Sequence, residues 1–127
     1  MKLEYLQDTN QYGDPLIRLY DFNMLEVGEL QKEITEKIIK EKALLELHNL
    51  KFVAPVNCKL TLRVSEEDHG ITGNDIEGFY CDLTTERYAE MVEILEPFHR
   101  DITPGRSNWL YNLNVPCEFL ISPDGSW

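Results

Sequence analysis

A chain of 127 residues with 43% hydrophobic and 28% charged side chains has the size and composition of one globular domain, able to bury a core without disulfide or metal staples. Its 23 acidic against 12 basic side chains give a formal charge of -11, which repels phosphate backbones and argues against nucleic acid as the ligand. No run approaches the roughly 20 apolar residues of a membrane span. Glu4, Gln7 and Asp8 interrupt the amino-terminal stretch before the apolar core of a secretory leader could form, so a cytoplasmic location is expected.

In chain order, KLEYLQ and PLIRLYDF read as two strands joined by the turn-rich DTNQYGD, an opening hairpin. A helix is predicted over about Met24 to Leu47, because Val27, Leu30, Ile34, Ile38 and Leu45 recur on one face at helical spacing. Asn23 as N-cap, Glu26 three residues on, and Phe22 with Val27 flanking the cap have the form of a capping box with a hydrophobic staple. The opposite face carries Glu29, Glu33, Glu36, Lys37, Lys40 and Glu41, with Glu33–Lys37 and Glu36–Lys40 in the favourable orientation, as on a solvated surface. Lys37 and Glu41 spoil any heptad seam, so packing on a sheet is expected in place of a coiled coil.

NLKFVAPVN reads as a connector with at most a short edge strand, since Pro55 cannot donate to a ladder. CKLTLRV alternates Leu60, Leu62 and Val64 with Lys59, Thr61 and Arg63, the pattern of a sheet with one wet face. DIEGFYCDL reads as its hairpin partner, with Phe79, Cys81 and Leu83 inward. Thr84 or Thr85 can cap a second helix ending near Pro97, with Tyr88, Met91, Val92 and Leu95 as its buried stripe. WLYNLN and PCEFLIS complete a last hairpin through Asn114, Val115 and Pro116, with Trp109, Tyr111 and Leu113 on one strand face. Trp127 is expected to tie the tail against the body, since a loose tail would expose its largest apolar side chain. The order β-β-α-β-β-α-β-β implies a single α+β domain over residues 1–127, a two-layer sandwich of mainly antiparallel sheet with both helices packed on one face.

Cys58, Cys81 and Cys117 are an odd number without CxxC spacing, which speaks against a disulfide framework and a zinc knuckle. Each shares strand parity with apolar neighbours, so all three are expected in the core as small hydrophobes. The long connection SEEDHGITGNDIEG sets Glu66, Glu67, Asp68, Asp75 and Glu77 around His69. A calcium loop starting at Asp68 would put Gly70 and Thr72 at ligand positions and Phe79 at the bidentate glutamate, so the EF-hand pattern fails. Zinc or iron would need nitrogen or sulfur ligands beside His69, but His48 and His99 are remote in sequence and the cysteines point inward. No metal and no cofactor is expected.

His99, Arg100 and Asp101 match the first letters of a protein-kinase catalytic loop. The asparagine that loop requires comes too late, at Asn108, and a glycine-rich phosphate loop and a DFG are missing, so the match is rejected. No GxSxG, HExxH or Walker A run marks a catalytic centre, and a non-enzymatic role is expected. The expected function is binding of another macromolecule, a protein with a basic surface, with Glu66, Glu67, Asp68, His69, Asp75 and Glu77 as the contact. By class analogy a small acidic inhibitor or immunity-type protein has this profile. The alternative is a small-molecule-binding domain or small enzyme with a pocket between sheet and helix. A homodimer along an open sheet edge is compatible with either.

Overall fold

The computed structural model describes residues 1–7, 13–103 and 105–124. Strands β1 (Lys2–Leu6) and β2 (Leu16–Tyr20) pair antiparallel with Leu3 opposite Leu19, forming the predicted opening hairpin. Most of its DTNQYGD turn, and Trp127 with the tail contact predicted for it, lie outside the described residues. Asn23 caps helix α1 (Met24–Glu33): its side chain accepts the Glu26 N–H while the Glu26 carboxylate accepts the Asn23 N–H. This is the capping box legible in the sequence.

α1 continues as a π-helical segment, Ile34–Lys40, which keeps Ile34 and Ile38 buried. The helix then stops short of the predicted Leu47, because Lys42 turns the backbone with a φ of 54° and Leu45–Glu46 leaves as strand β3. Helical spacing misleads at Leu45 because Leu45, Glu46 and Leu47 also alternate buried, exposed, buried, and β3 finds a ladder with Leu62 opposite Leu45. A 3-10 turn (Leu47–Asn49) leads to edge strand β4 (Ala54–Pro55). Ala54 and Val56 donate their N–H groups to the Met1 and Leu3 carbonyls, both at 2.8 Å, and Pro55 sits between them where no donor is needed.

Strands β5 (Leu60–Val64), β6 (Gly70–Asn74) and β7 (Gly78–Leu83) depart most from the expected hairpin. β5 and β7 are neighbours but parallel, with Leu62 opposite Cys81. The residues between them cross the end of β7, where Ser65 and His69 donate to the Leu83 and Asp82 carbonyls, and return as β6, antiparallel on the far side of β7. Helix α2 (Thr85–Arg100) starts at the predicted cap, Thr84, whose hydroxyl accepts the Arg87 N–H, and runs through Pro97.

Strand β8 (Asn108–Trp109) pairs antiparallel with β9 (Glu118–Ser122), which also lies parallel to β2. The chain leaves β8 after Trp109, so Trp109 is exposed while Tyr111 is buried, and they do not share the predicted strand face. The Tyr111 hydroxyl instead donates to the Cys117 carbonyl and accepts the Ile71 N–H at 3.1 Å, tying β6 to the segment before β9.

The strands form two sheets, ordered β4-β1-β2-β9-β8 and β3-β5-β7-β6. Their inner faces and the buried stripes of the helices meet in one core, an α+β arrangement with helices packed on sheets. Strands β3, β4 and β6 are not in the predicted order, and both sheets mix parallel with antiparallel pairs where a mainly antiparallel sheet is expected, because β2–β9 and β5–β7 are joined by long crossovers and not by hairpins. Cys58, Cys81 and Cys117 are all buried and unbridged, as their parity predicts. No helix among the described residues is long and apolar enough to cross a membrane.

The two helices lie against each other, with Gln31 donating to the Val92 carbonyl at 3.0 Å and to Glu96 at 2.8 Å. Tyr88 anchors α2 to the β5–β7 pair. Its ring is fully buried, its hydroxyl accepts the Arg63 N–H, and the Arg63 and Cys81 carbonyls lie within reach of its proton at 2.8 and 2.7 Å. Tyr88→Phe leaves these strand groups short of a partner where water is excluded. It is expected to lower the unfolding free energy by about 1–3 kcal/mol in urea denaturation, and an unchanged midpoint would contradict the anchoring role.

Candidate functional site

Leu45, Leu60, Leu62, Ile71, Phe79, Cys81 and Leu83 point into the core, so the residues alternating with them form the outer face of the four-stranded sheet. The register sets Glu46, Thr61, Tyr80 and Thr72 in one row across β3, β5, β7 and β6. In the adjoining row Arg63 grips Asp82 with two parallel hydrogen bonds of 2.8 Å, and its guanidinium lies 4.1 Å from the Tyr80 ring centroid. The fork and the ring hold each other in place, and 40% of Tyr80 remains open to solvent.

At one end of this face the β6–β7 hairpin turns through Asp75, Ile76 and Glu77. Asn74 Oδ1 accepts the N–H groups of Ile76 and Glu77 at 3.0 and 2.7 Å, closing the turn by its own side chain. Gly73 and Gly78 flank it with φ values of 115° and 114°, a backbone region that L side chains avoid. The outcome is an isoleucine that is 91% exposed, held between two carboxylates. Neither Asp75 nor Glu77 forms an ion pair among the described residues.

The tip walls two adjoining clefts that share Lys59 and Gly78. One, of about 280 Å³, lies between Pro55, Val56 and Ile76 with Cys58 and Asp75. Burial, with the charges of Glu4 and Asp75, pushes the Cys58 thiol up to about 11, so it remains a neutral, weakly reactive thiol at neutral pH. The other, of about 210 Å³, is bounded by Glu46, His48, Thr61, Glu77 and Tyr80. There His48 Nδ1 lies 3.2 Å from the Leu60 backbone nitrogen and 3.3 Å from the Leu60 carbonyl oxygen, and Nε2 lies 3.5 Å from Glu46 Oε2. Neither cleft is lined by a residue of α1 or α2.

The structure divides the six residues singled out in the sequence. Asp75 and Glu77 stand at the hairpin tip, while Glu66, Glu67, Asp68 and His69 lie beyond the other end of β6. Five residues of extended chain separate the groups by about 16 Å. Glu66, Glu67 and His69 are exposed. Asp68 is engaged within the fold: one oxygen accepts the Thr84 N–H and hydroxyl at 2.8 and 3.0 Å, and the other accepts Arg87 Nε at 3.2 Å. Partial burial acts to raise its pKa, but these hydrogen bonds and the Arg87 charge outweigh it and hold the carboxyl below its ordinary 3.8.

A carboxylate with a depressed folded-state pKa stabilises fully above its unfolded value and loses that contribution as pH falls through the folded one. Asp68→Asn is therefore expected to destabilise the protein by about 1–2 kcal/mol at pH 7. The gap from the parent protein should close as the pH drops below about 4. Thermal melts across that range test it, and a gap that does not change with pH would sink the assignment.

Sequence reasoning missed Glu46, His48 and Tyr80 as neighbours of the acidic turn. The alternation in CKLTLRV already turns Lys59 and Thr61 outward, and Tyr80 lies between the inward Phe79 and Cys81, but only the strand pairing brings them together. One signal was within reach: Ser65 to Glu86 contains seven Asp and Glu residues and no Lys or Arg. Among the described residues no three His, Cys, Asp or Glu side chains converge as a metal site. Comparison with family models, with curated proteins and with solved structures returns no match.

Proposed function

We propose that this is a non-enzymatic, cytoplasmic protein that binds another protein through that partner's basic surface, in the manner of a small acidic inhibitor or immunity-type protein. The contact is centred on the β6–β7 hairpin tip and the sheet face beside it. One observation carries this: an isoleucine 91% exposed, fixed by a side-chain-closed turn between two carboxylates that form no ion pair among the described residues. Interfaces combine an apolar anchor in a well-ordered setting with a polar rim, and carboxylates in that rim steer a cationic partner at long range. The formal charge of -11 supplies the far field, and the stretch from Ser65 to Glu86 supplies the local one.

The test is association with proteins from the source cell at two ionic strengths. A basic partner captured at low salt and released as salt screens the charges is the expected outcome. Recovery of neutral or acidic partners alone, or capture indifferent to salt, refutes it.

A further inference from the structure

The two clefts beneath the hairpin tip adjoin at Lys59 and Gly78, which line both, but differ in chemistry. The first is walled by Pro55, Val56 and Ile76, and both Val56 and Ile76 are exposed apolar side chains. The second presents acceptors: the carboxylates of Glu46 and Glu77 with the hydroxyls of Thr61 and Tyr80. Lys59 offsets one of the three carboxylates Glu46, Asp75 and Glu77, so the groove keeps a negative excess. Lys59 is exposed and forms no ion pair among the described residues, which leaves its long stem free to yield to an incoming cation.

We infer that this groove receives an extended segment of the partner in which an apolar side chain, seated between Val56 and Ile76, adjoins an arginine seated between Glu46 and Glu77. Resting on the proposed recognition of a basic surface, the assignment names which basic group is read and where. Arginine fits better than lysine because its planar guanidinium offers five donors in fixed directions, enough to engage several of the carboxylate and hydroxyl acceptors that line this cleft at once. The floor is prepared for a cation. Thr61 is nearly buried there, and the His48 ring lies beside Glu46 with its Nε2 3.5 Å from Oε2.

The test is NMR titration of the isotopically labelled protein with three short peptides blocked at both ends, containing Leu-Arg, Leu-citrulline or Ser-Arg at the centre. The Leu-Arg peptide is expected to shift the amides of Lys59, Ile76, Gly78 and Tyr80. The citrulline peptide, equal in shape but uncharged, should bind at least tenfold more weakly, and the serine peptide should lose the shift at Ile76. A Glu46→Gln, Glu77→Gln variant should reduce Leu-Arg binding about tenfold, its amide spectrum elsewhere being unchanged. Shifts that follow Leu-Arg but map to Glu29, Glu33 and Glu36 of α1 overturn the groove and leave recognition of a basic partner standing. Equal binding of the arginine and citrulline peptides, or no binding by either arginine peptide, overturns both.

Discussion

Replacing Gly73 by alanine is expected to lower stability by about 2–4 kcal/mol and to disorganise the tip of the β6–β7 hairpin. Its φ of 115° is costly for any residue with a Cβ. The added carbon would also fall 2.3 Å from the Gly78 carbonyl oxygen and 3.0 Å from the Phe79 Cα, both backbone atoms of the paired strand, so no rotamer change relieves the clash. Either β6 must move away from β7 or the register Gly73 to Phe79 must break. Urea denaturation measures the loss, and faster hydrogen exchange at Thr72, which faces Tyr80 in the ladder, locates it. A variant as stable as its parent would show that the tip does not need this backbone.

Reversing both charges at the tip, Asp75→Lys with Glu77→Lys, is the change expected to affect partner association most. Both side chains are exposed and form no ion pair among the described residues, so the fold should survive while the local field changes sign. The association rate constant for a basic partner should fall by about 10- to 100-fold at low ionic strength, with the gap narrowing in high salt. Glu66→Lys with Glu67→Lys is the matched control: the same change in net charge, placed beyond the other end of β6. Equal effects from the two pairs, read by stopped-flow or surface-binding kinetics, would reduce the role of the tip to bulk charge.

Elements specified by their own residues were legible in the sequence. The Asn23–Glu26 box, the Thr84 cap with the stripe through Tyr88, Met91 and Leu95, and the alternation of β5 each follow from local preference that the core then rewards. What escaped depends on partners distant along the chain. GITGN has two glycines and one β-branched apolar residue and reads as turn, yet it is a strand because β7 offers a ladder and Tyr111 accepts the outward Ile71 N–H. The parallel pairing of β5 with β7 follows from that hidden strand, which uses up the expected hairpin. The candidate site was half visible for the same reason. Asp75 and Glu77 belong to a polar turn that composition reveals, whereas Glu46, His48, Thr61 and Tyr80 become neighbours only once β3, β5 and β7 are side by side.

The seam between β2 and β9 has a consequence for how the chain reaches this state. It matches residue 16 with residue 118 and residue 20 with residue 122, so nearly the whole domain must be synthesised before β2 gains its second neighbour. Until then the edge carrying Ile17 and Leu19 is open to mispairing, which makes slow maturation and reliance on folding helpers the expected behaviour of the nascent polypeptide.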